Sequence, residues 1–284
     1  MWRIGEQVNS DQRVTIVEPA NRWKFLNVSE IFASRELLWM LVLRDVKLRY
    51  KQTVLGVGWA VLQPVFGMVV FTIVLHNAAG VSSEQGIPYP IYCYSGLSVW
   101  LYFADATTRS SMTIVTNRAL ITKVYFPRLI APMSGVIAPL FDFGLALVVL
   151  FGLMLFYGTA FGWTLLALPI FLLCAVLSAT GIGIWLAGLN VEYRDINYAV
   201  PLAVQMGMFL TPVVYSPSHL TGVIKFIYAL NPMAGVVMGF RWSILGRGSV
   251  DWTLMIVSQS IMVLVVASGV SYFRRVESTF ADAV

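Results

Sequence analysis

Charged residues are so unevenly spread along this chain that the intervals between them can be read as structural elements. Uncharged stretches of 32 residues between Lys51 and Glu84, 20 between Glu84 and Asp105, 49 between Asp142 and Glu192, 29 between Asp195 and Lys225, and 22 between Asp251 and Arg274 stand out. A helix that covers the roughly 30 Å hydrocarbon core of a bilayer needs about 20 mostly apolar residues. Every interval meets that length. The longest must hold more than one span, because Gly158, Thr159, Ala160, Phe161 and Gly162 form a breaker cluster inside it. Its first half reaches back through Asp142 toward Arg128 to complete one helix. The pattern therefore predicts an all-α membrane protein with six transmembrane helices, at 57–76, 89–108, 129–157, 163–189, 198–215 and 252–273.

Two segments fit neither a span nor a plain loop. In 29–52, the apolar run 37–43 is too short to cross and is followed by Arg44, Lys47, Arg49 and Lys51. At about 100° per residue, Arg44, Lys47 and Lys51 fall within about 60° of one another while Arg49 points away. This reads as a helix lying in the cytoplasmic interface. In 217–246, the 15 uncharged residues between Lys225 and Arg241 are interrupted by Asn231-Pro232. They would make a helix of only about 22 Å at ~1.5 Å per residue, so a re-entrant helical hairpin between spans five and six is predicted instead of a seventh span.

Composition supports this picture and excludes a soluble enzyme: 58% of residues are hydrophobic and only 12% charged, against about 25% charged in soluble domains. The predicted topology places 16 of the 19 Lys and Arg residues on one side. The positive-inside rule makes that side the cytoplasm and puts both termini there. It also accounts for the net charge of +5 without invoking nucleic acid. The organisation expected is a polar cytoplasmic N-terminal extension over 1–28, the interfacial helix over 29–52, and the six-span transmembrane domain over 53–284. The extension lacks an apolar run of signal-peptide length. Cys93 and Cys174 both fall in apolar stretches, where buried thiols are the ordinary reading.

Catalytic machinery is missing from the sequence. There is no G-x-x-x-x-G-K-[ST] phosphate loop and no Gly-Lys dipeptide, so ATP is not bound by that route. The two histidines, His76 and His219, make no H-E-x-x-H or His-rich metal motif. No catalytic residue, metal site or cofactor is expected on this chain. Asp142, about 21 Å along the third span at ~1.5 Å per residue, is the acid to weigh. Intramembrane acids are functional candidates, but a proton relay needs several and Asp142 stands alone, which favours a structural role. Asp105 precedes Arg109 by four residues, the spacing of a helical ion pair.

The 38 aromatic residues are more suggestive, and span two concentrates them. On a helical wheel with Tyr92 at zero, Phe103 falls near about 20°, Tyr89 near about 60° and Trp100 near about 80°. Such a stripe could line a channel on which sugars stack; an interfacial aromatic belt and simple helix packing are the competing explanations. A weaker stripe on span one includes Trp59 and Phe66.

Five strings, in order, resemble a known family. They are LRDVKLRYK at 43–51 with TVLGVGWAVLQP after it, NRALITKVYFPR at 117–128, LNVEYRDI at 189–196, YALNPM at 228–233 and YFRRVESTFADAV at 272–284. The family is the membrane permease of ABC transporters that export polysaccharide: the O-antigen, capsule and teichoic-acid exporters. The resemblance covers nearly all of the chain after residue 29.

That resemblance implies a channel-forming transport subunit, a multi-pass protein of the bacterial cytoplasmic (inner) membrane. Two copies of the chain would pair as a homodimer. Two copies of a separate cytoplasmic ABC ATPase, carrying the ATP and magnesium, would drive it. The cargo would be a lipid-linked glycan, with O-antigen on undecaprenyl pyrophosphate favoured. Capsule, teichoic-acid or galactan export, or a small-molecule exporter of the same architecture, are the alternatives. The resemblance assigns 117–128 to a helix that couples to the ATPase, with Asn117, Leu120, Lys123 and Arg128 in it, and adds a second cytoplasmic contact at Tyr193 and Arg194. Arg44, Lys47, Arg49 and Lys51 match the interfacial helix, where admitting an anionic lipid headgroup and plain positive-inside anchoring both fit.

Overall fold

A computed structural model describes residues 32–83, 86–124, 126–159, 162–216, 222–247 and 251–277. The N-terminal extension and the first residues of the expected interfacial segment lie outside these. Among the described residues every regular element is helical. In chain order the α-helices are α1 (Arg35–Tyr50), α2 (Gly58–Phe71), α3 (Tyr89–Thr116), α4 (Arg118–Lys123), α5 (Ile130–Ile137) and α6 (Leu140–Phe156). They continue with α7 (Leu168–Glu192), α8 (Ile196–Phe209), α9 (Gly222–Ala229), α10 (Pro232–Leu245) and α11 (Trp252–Val276). A π-helical stretch, Thr72–Ala78, prolongs α2, and a 3-10 turn, Trp163–Ala167, leads into α7.

Four helical segments are long and apolar enough to cross a bilayer: Gly58–Ala78, Ile130–Phe156, Trp163–Glu192 and Trp252–Val276. A fifth is reached if α9 and α10, bent by 89° at Leu230 and Asn231, count as one span. Three of the six expected spans look different from their sequence. The second is α3, whose 28 residues exceed the length required, but whose later half carries Asp105, Arg109 and a run of Ser and Thr. The fifth was expected over 198–215; α8 instead ends at Phe209, ahead of Thr211-Pro212. Its 14 residues reach only about 21 Å. The third, expected as one unbroken helix, is jointed: Pro139, which lacks an amide hydrogen, separates α5 from α6.

Burial explains how a polar α3 is tolerated. It is the axis of the bundle, packed against α2, α5, α6, α7, α8 and α10. Its hydroxyls bond back to its own carbonyls, as Ser98 Oγ does to Ser95 O at 3.0 Å and Thr113 Oγ1 to Ser110 O at 2.8 Å. Small residues let the neighbouring backbones close in, as is usual where lipid supplies no hydrophobic drive between helices. A Cβ added at Gly183 of α7 would lie 2.5 Å from Ser110 Oγ, and one at Gly269 of α11 would lie 2.5 Å from the Gly181 carbonyl. Outward-facing apolar side chains such as Val148, Leu155, Leu173, Ile256 and Val263 are exposed, as helices surrounded by hydrocarbon require.

Candidate functional site

One arginine draws three helices together. Arg49, near the end of α1, forms ion pairs with Asp105 of α3 and Asp142 of α6. Arg109 also binds Asp105, Nε to Oδ1 at 2.9 Å. Asp142 is therefore not the isolated acid its sequence suggested. Arg49, expected at the headgroup interface with Arg44, Lys47 and Lys51, lies off their stripe and turns toward these two acids. Arg44 pairs with its neighbour Asp45 at 2.8 Å. Lys47 and Lys51 are exposed.

The aromatic stripe of α3, expected to line a channel, packs within the bundle. Tyr89, Tyr92, Trp100 and Phe103 are at most 5% exposed and belong to the main hydrophobic core. The wheel correctly brought them to one side, but that side meets the protein's own helices. Tyr89 donates to the Val214 carbonyl at 2.9 Å. The Trp100 ring lies beside Gly207 of α8, where a Cβ would come within 3.2 Å of it. The weaker stripe behaves in the opposite way: Trp59 is 54% and Phe66 61% exposed on α2.

Sequence reasoning assigned Arg241 only to a count of charges on the outer side. In α10 it is 5% exposed, and it fastens the bent α9–α10 pair to the core. Nη1 donates to Tyr92 Oη at 2.8 Å, and Nη2 to the carbonyls of Val213 at 2.6 Å and Pro212 at 3.2 Å. A lone arginine between Phe240 and Trp242 in an apolar helix is the signal that could have found it. The bend itself is set by Asn231. Its Oδ1 caps α10 by accepting from Met233 N at 2.9 Å, and its Nδ2 donates to Thr211 Oγ1 at 2.7 Å. At the start of α11, Lys225 pairs with Asp251. The Lys225 hydrogen bond holds that carboxyl below its ordinary range; burial opposes this, and the Leu254 N–H reinforces it.

The residues of α4 and of the turn after α7 divide into buried and exposed ones. Asn117 is buried where α3 breaks into α4, its Nδ2 donating to Thr113 O at 2.9 Å. Leu120 packs with Leu41, Phe126 and Ile130, joining α4 to α1 and α5. Lys123 is exposed, as are Tyr193 and Arg194 in the turn between α7 and α8. Arg128 is half-buried and donates to the Glu277 carbonyl. Among the described residues, no three His, Cys, Asp or Glu side chains gather as metal ligands.

A helical bundle with several apolar spans and an interior ion-pair cluster is the frame of a multi-pass membrane protein. Residues 36–245 match the ABC-2 type transporter family, and the chain belongs to it. It is thus a transport component and not an enzyme, a multi-pass protein of the cytoplasmic membrane whose class works with an ATPase. Among curated proteins it is similar to the O-antigen export system permease protein RfbA of Myxococcus xanthus, 28% identical over 260 residues, 90% of this chain and 98% of that relative. Two proteins of the same description from Klebsiella pneumoniae are 24% and 25% identical over 249 residues, 87% of this chain and 94% of each relative.

Proposed function

We propose that this chain is the permease of an exporter that carries a lipid-linked polysaccharide, O-antigen on undecaprenyl pyrophosphate, outward across the cytoplasmic membrane. The observation that carries the reading is end-to-end similarity: the match to a permease described for O-antigen export leaves only 2% of that relative uncovered. Two copies pair around the channel, and a separate ATPase supplies the energy. Six spans cross the bilayer, with α3 and α8 completing the set around the four strongly apolar ones. The pair α9 and α10 is re-entrant from the outer face, and both termini are cytoplasmic. The polar extension 1–28 and the interfacial segment 29–52 precede the transmembrane domain 53–284.

Chemistry supports each part of this reading. α1 exposes Trp39 and Met40 together with Lys47 and Lys51, the mixture suited to an interface carrying anionic headgroups. Trp59 and Phe66 offer flat apolar faces on the least buried span, a surface on which varied sugars can slide. The exposed Lys123, Tyr193 and Arg194 are available for ATPase docking.

Depleting the chain in its native host and analysing extracted lipids by mass spectrometry tests the proposal. A lipid-linked glycan should accumulate while surface polysaccharide falls. Intact surface polysaccharide with no accumulating lipid would overturn it.

A further inference from the structure

Three helices meet at Asn190, which lies in the string 189–196 but was given no role there. Its side chain, near the end of α7, is 2% exposed. Nδ2 donates twice, to the Ser111 carbonyl of α3 at 2.8 Å and to Asn197 Oδ1 of α8 at 2.9 Å. Asn197 in turn donates from Nδ2 to the Arg194 carbonyl at 3.3 Å. A buried amide costs free energy unless its donors are satisfied, and here both N–H groups are committed to elements other than its own helix.

The position of this junction gives it meaning. Ser111 lies six residues before Asn117, about 9 Å along α3 at ~1.5 Å per residue, and Asn117 is where α3 hands over to α4. Arg194 belongs to the exposed turn 193–195. The two cytoplasmic segments, far apart in sequence, are therefore joined through two amides in series, Asn190 and Asn197. The framework beneath it has little slack, since a Cβ at Gly135 of α5 would meet Ser110 N at 2.8 Å and one at Gly183 would meet Ser110 Oγ at 2.5 Å. Close-packed backbones of this kind pass displacement on instead of absorbing it.

We propose that Asn190 is a positioning residue that holds the turn 193–195 and helix α4 in fixed relation, so that the ATPase engages both as one surface. This rests on the proposed docking of the ATPase at these two segments. Without the Asn190 donors the ATPase still binds through α4, but its strokes are no longer delivered through α7 and α8, and hydrolysis runs with little export.

The test uses the full permease with its ATPase in proteoliposomes, supplied with undecaprenyl-pyrophosphate-linked glycan extracted from the host. Asn190→Leu keeps the side-chain size and removes both donors. Asn197→Ala, at a half-exposed position, releases only the α8 side. ATP hydrolysis, glycan translocated per ATP, and cross-linking to the ATPase from Lys123→Cys and Arg194→Cys are measured. Both variants should retain the ATPase and the cross-link at position 123, lose most of the cross-link at 194, and translocate about tenfold less glycan per ATP, within the range for residues that carry coupling. Unchanged translocation per ATP with both cross-links intact would overturn the proposal. Should Asn190→Leu fail to fold, Asn197→Ala decides alone. Failure of both positions to cross-link with Asn190 and Asn197 in place would instead sink the docking reading, and this inference with it.

Discussion

The guanidinium of Arg241 lies over the ring of Tyr92, 3.7 Å from its centroid. Its donors go to the hydroxyl of that same tyrosine and to the carbonyls of Pro212 and Val213. No carboxylate is among these contacts; the π face and the carbonyl dipoles answer the charge. Desolvated contacts of a cation with an aromatic face reach about 2 kcal/mol. Gly96 makes room for the arrangement, because a Cβ there would lie 2.3 Å from Val213 O and 2.5 Å from Arg241 Nη2.

These contacts rank three substitutions. Arg241→Met strips buried carbonyls of their donors at about 1–3 kcal/mol each, whereas Tyr92→Phe removes one hydrogen bond worth about 1 kcal/mol. Gly96→Ala forces backbone apart and should be the most damaging with Arg241→Met close behind. Thermal unfolding in detergent should show Tyr92→Phe as the mildest of the three.

Arg49 serves two acids that are not equally dependent on it. Asp105 keeps Arg109 if Arg49 is lost, while the recorded ion pair of Asp142 is with Arg49. Arg49→Gln should be destabilising, by less than the about 3–5 kcal/mol of a fully buried pair, because all three side chains are partly exposed. Adding Asp142→Asn should recover most of the folded yield, and adding Asp105→Asn should not. Equal recovery from both would show that Asp142 does not depend on this arginine.

Aromatic substitutions should separate by location. Trp100→Ala or Tyr92→Ala empties the core and should destabilise by about 3–5 kcal/mol. Trp59→Ala with Phe66→Ala should leave the unfolding midpoint almost unchanged and slow export. Normal export by that double variant would remove α2 from the transport path.

Two basic residues of the proposed coupling segment should give different phenotypes. Lys123→Glu, on an exposed position, should reduce co-purification of the ATPase without changing stability. Arg128→Glu breaks the tie to the Glu277 carbonyl and should lower stability first, visible as a reduced unfolding midpoint of the isolated permease.

Acid should loosen the junction of α9 with α11. The Asp251 carboxyl is held below its ordinary value, so its stabilisation is complete above about pH 4, the unfolded value, and is lost as pH falls through the lower folded value. Asp251→Asn keeps a capping side chain and removes the charge. Unfolding midpoints of the two proteins should differ slightly at pH 7, by less than about 1 kcal/mol for so exposed a pair, and converge below about pH 4.

What the sequence disclosed and what it hid follow from the range of the forces involved. Long apolar runs and breakers act locally, so the helices around 58–78, 130–156, 163–192 and 252–276 were legible, as was the sharp turn at Asn231-Pro232. The i to i+4 pair of Asp105 and Arg109 was legible for the same reason. The third member of that cluster was not, because Arg49 lies 56 residues from Asp105 and only packing brings it there. The wheel for α3 gave the side on which its rings lie but not what they face; a helix surrounded on every side has no outward face for periodicity to reveal. Asn190 and Arg241 were missed because their partners, backbone carbonyls together with one uncharged side chain each, Asn197 and Tyr92, leave no pattern in the sequence.

Helix α3 places its least lipid-compatible stretch at the centre of the bundle, and this bears on biosynthesis. Asp105 and Arg109 each cost about 2.5–3.5 kcal/mol at mid-membrane on insertion scales, so α3 on its own is a poor candidate to leave the translocon sideways into lipid. Of the helices packed against it only α2 precedes it; α5, α6, α7, α8 and α10 are all synthesised after it. A nascent chain ending before α7 should therefore hold α3 only weakly in the bilayer, and a stalled ribosome would leave it open to quality-control proteolysis. The segment that organises the finished protein is the last to become secure while it is being made.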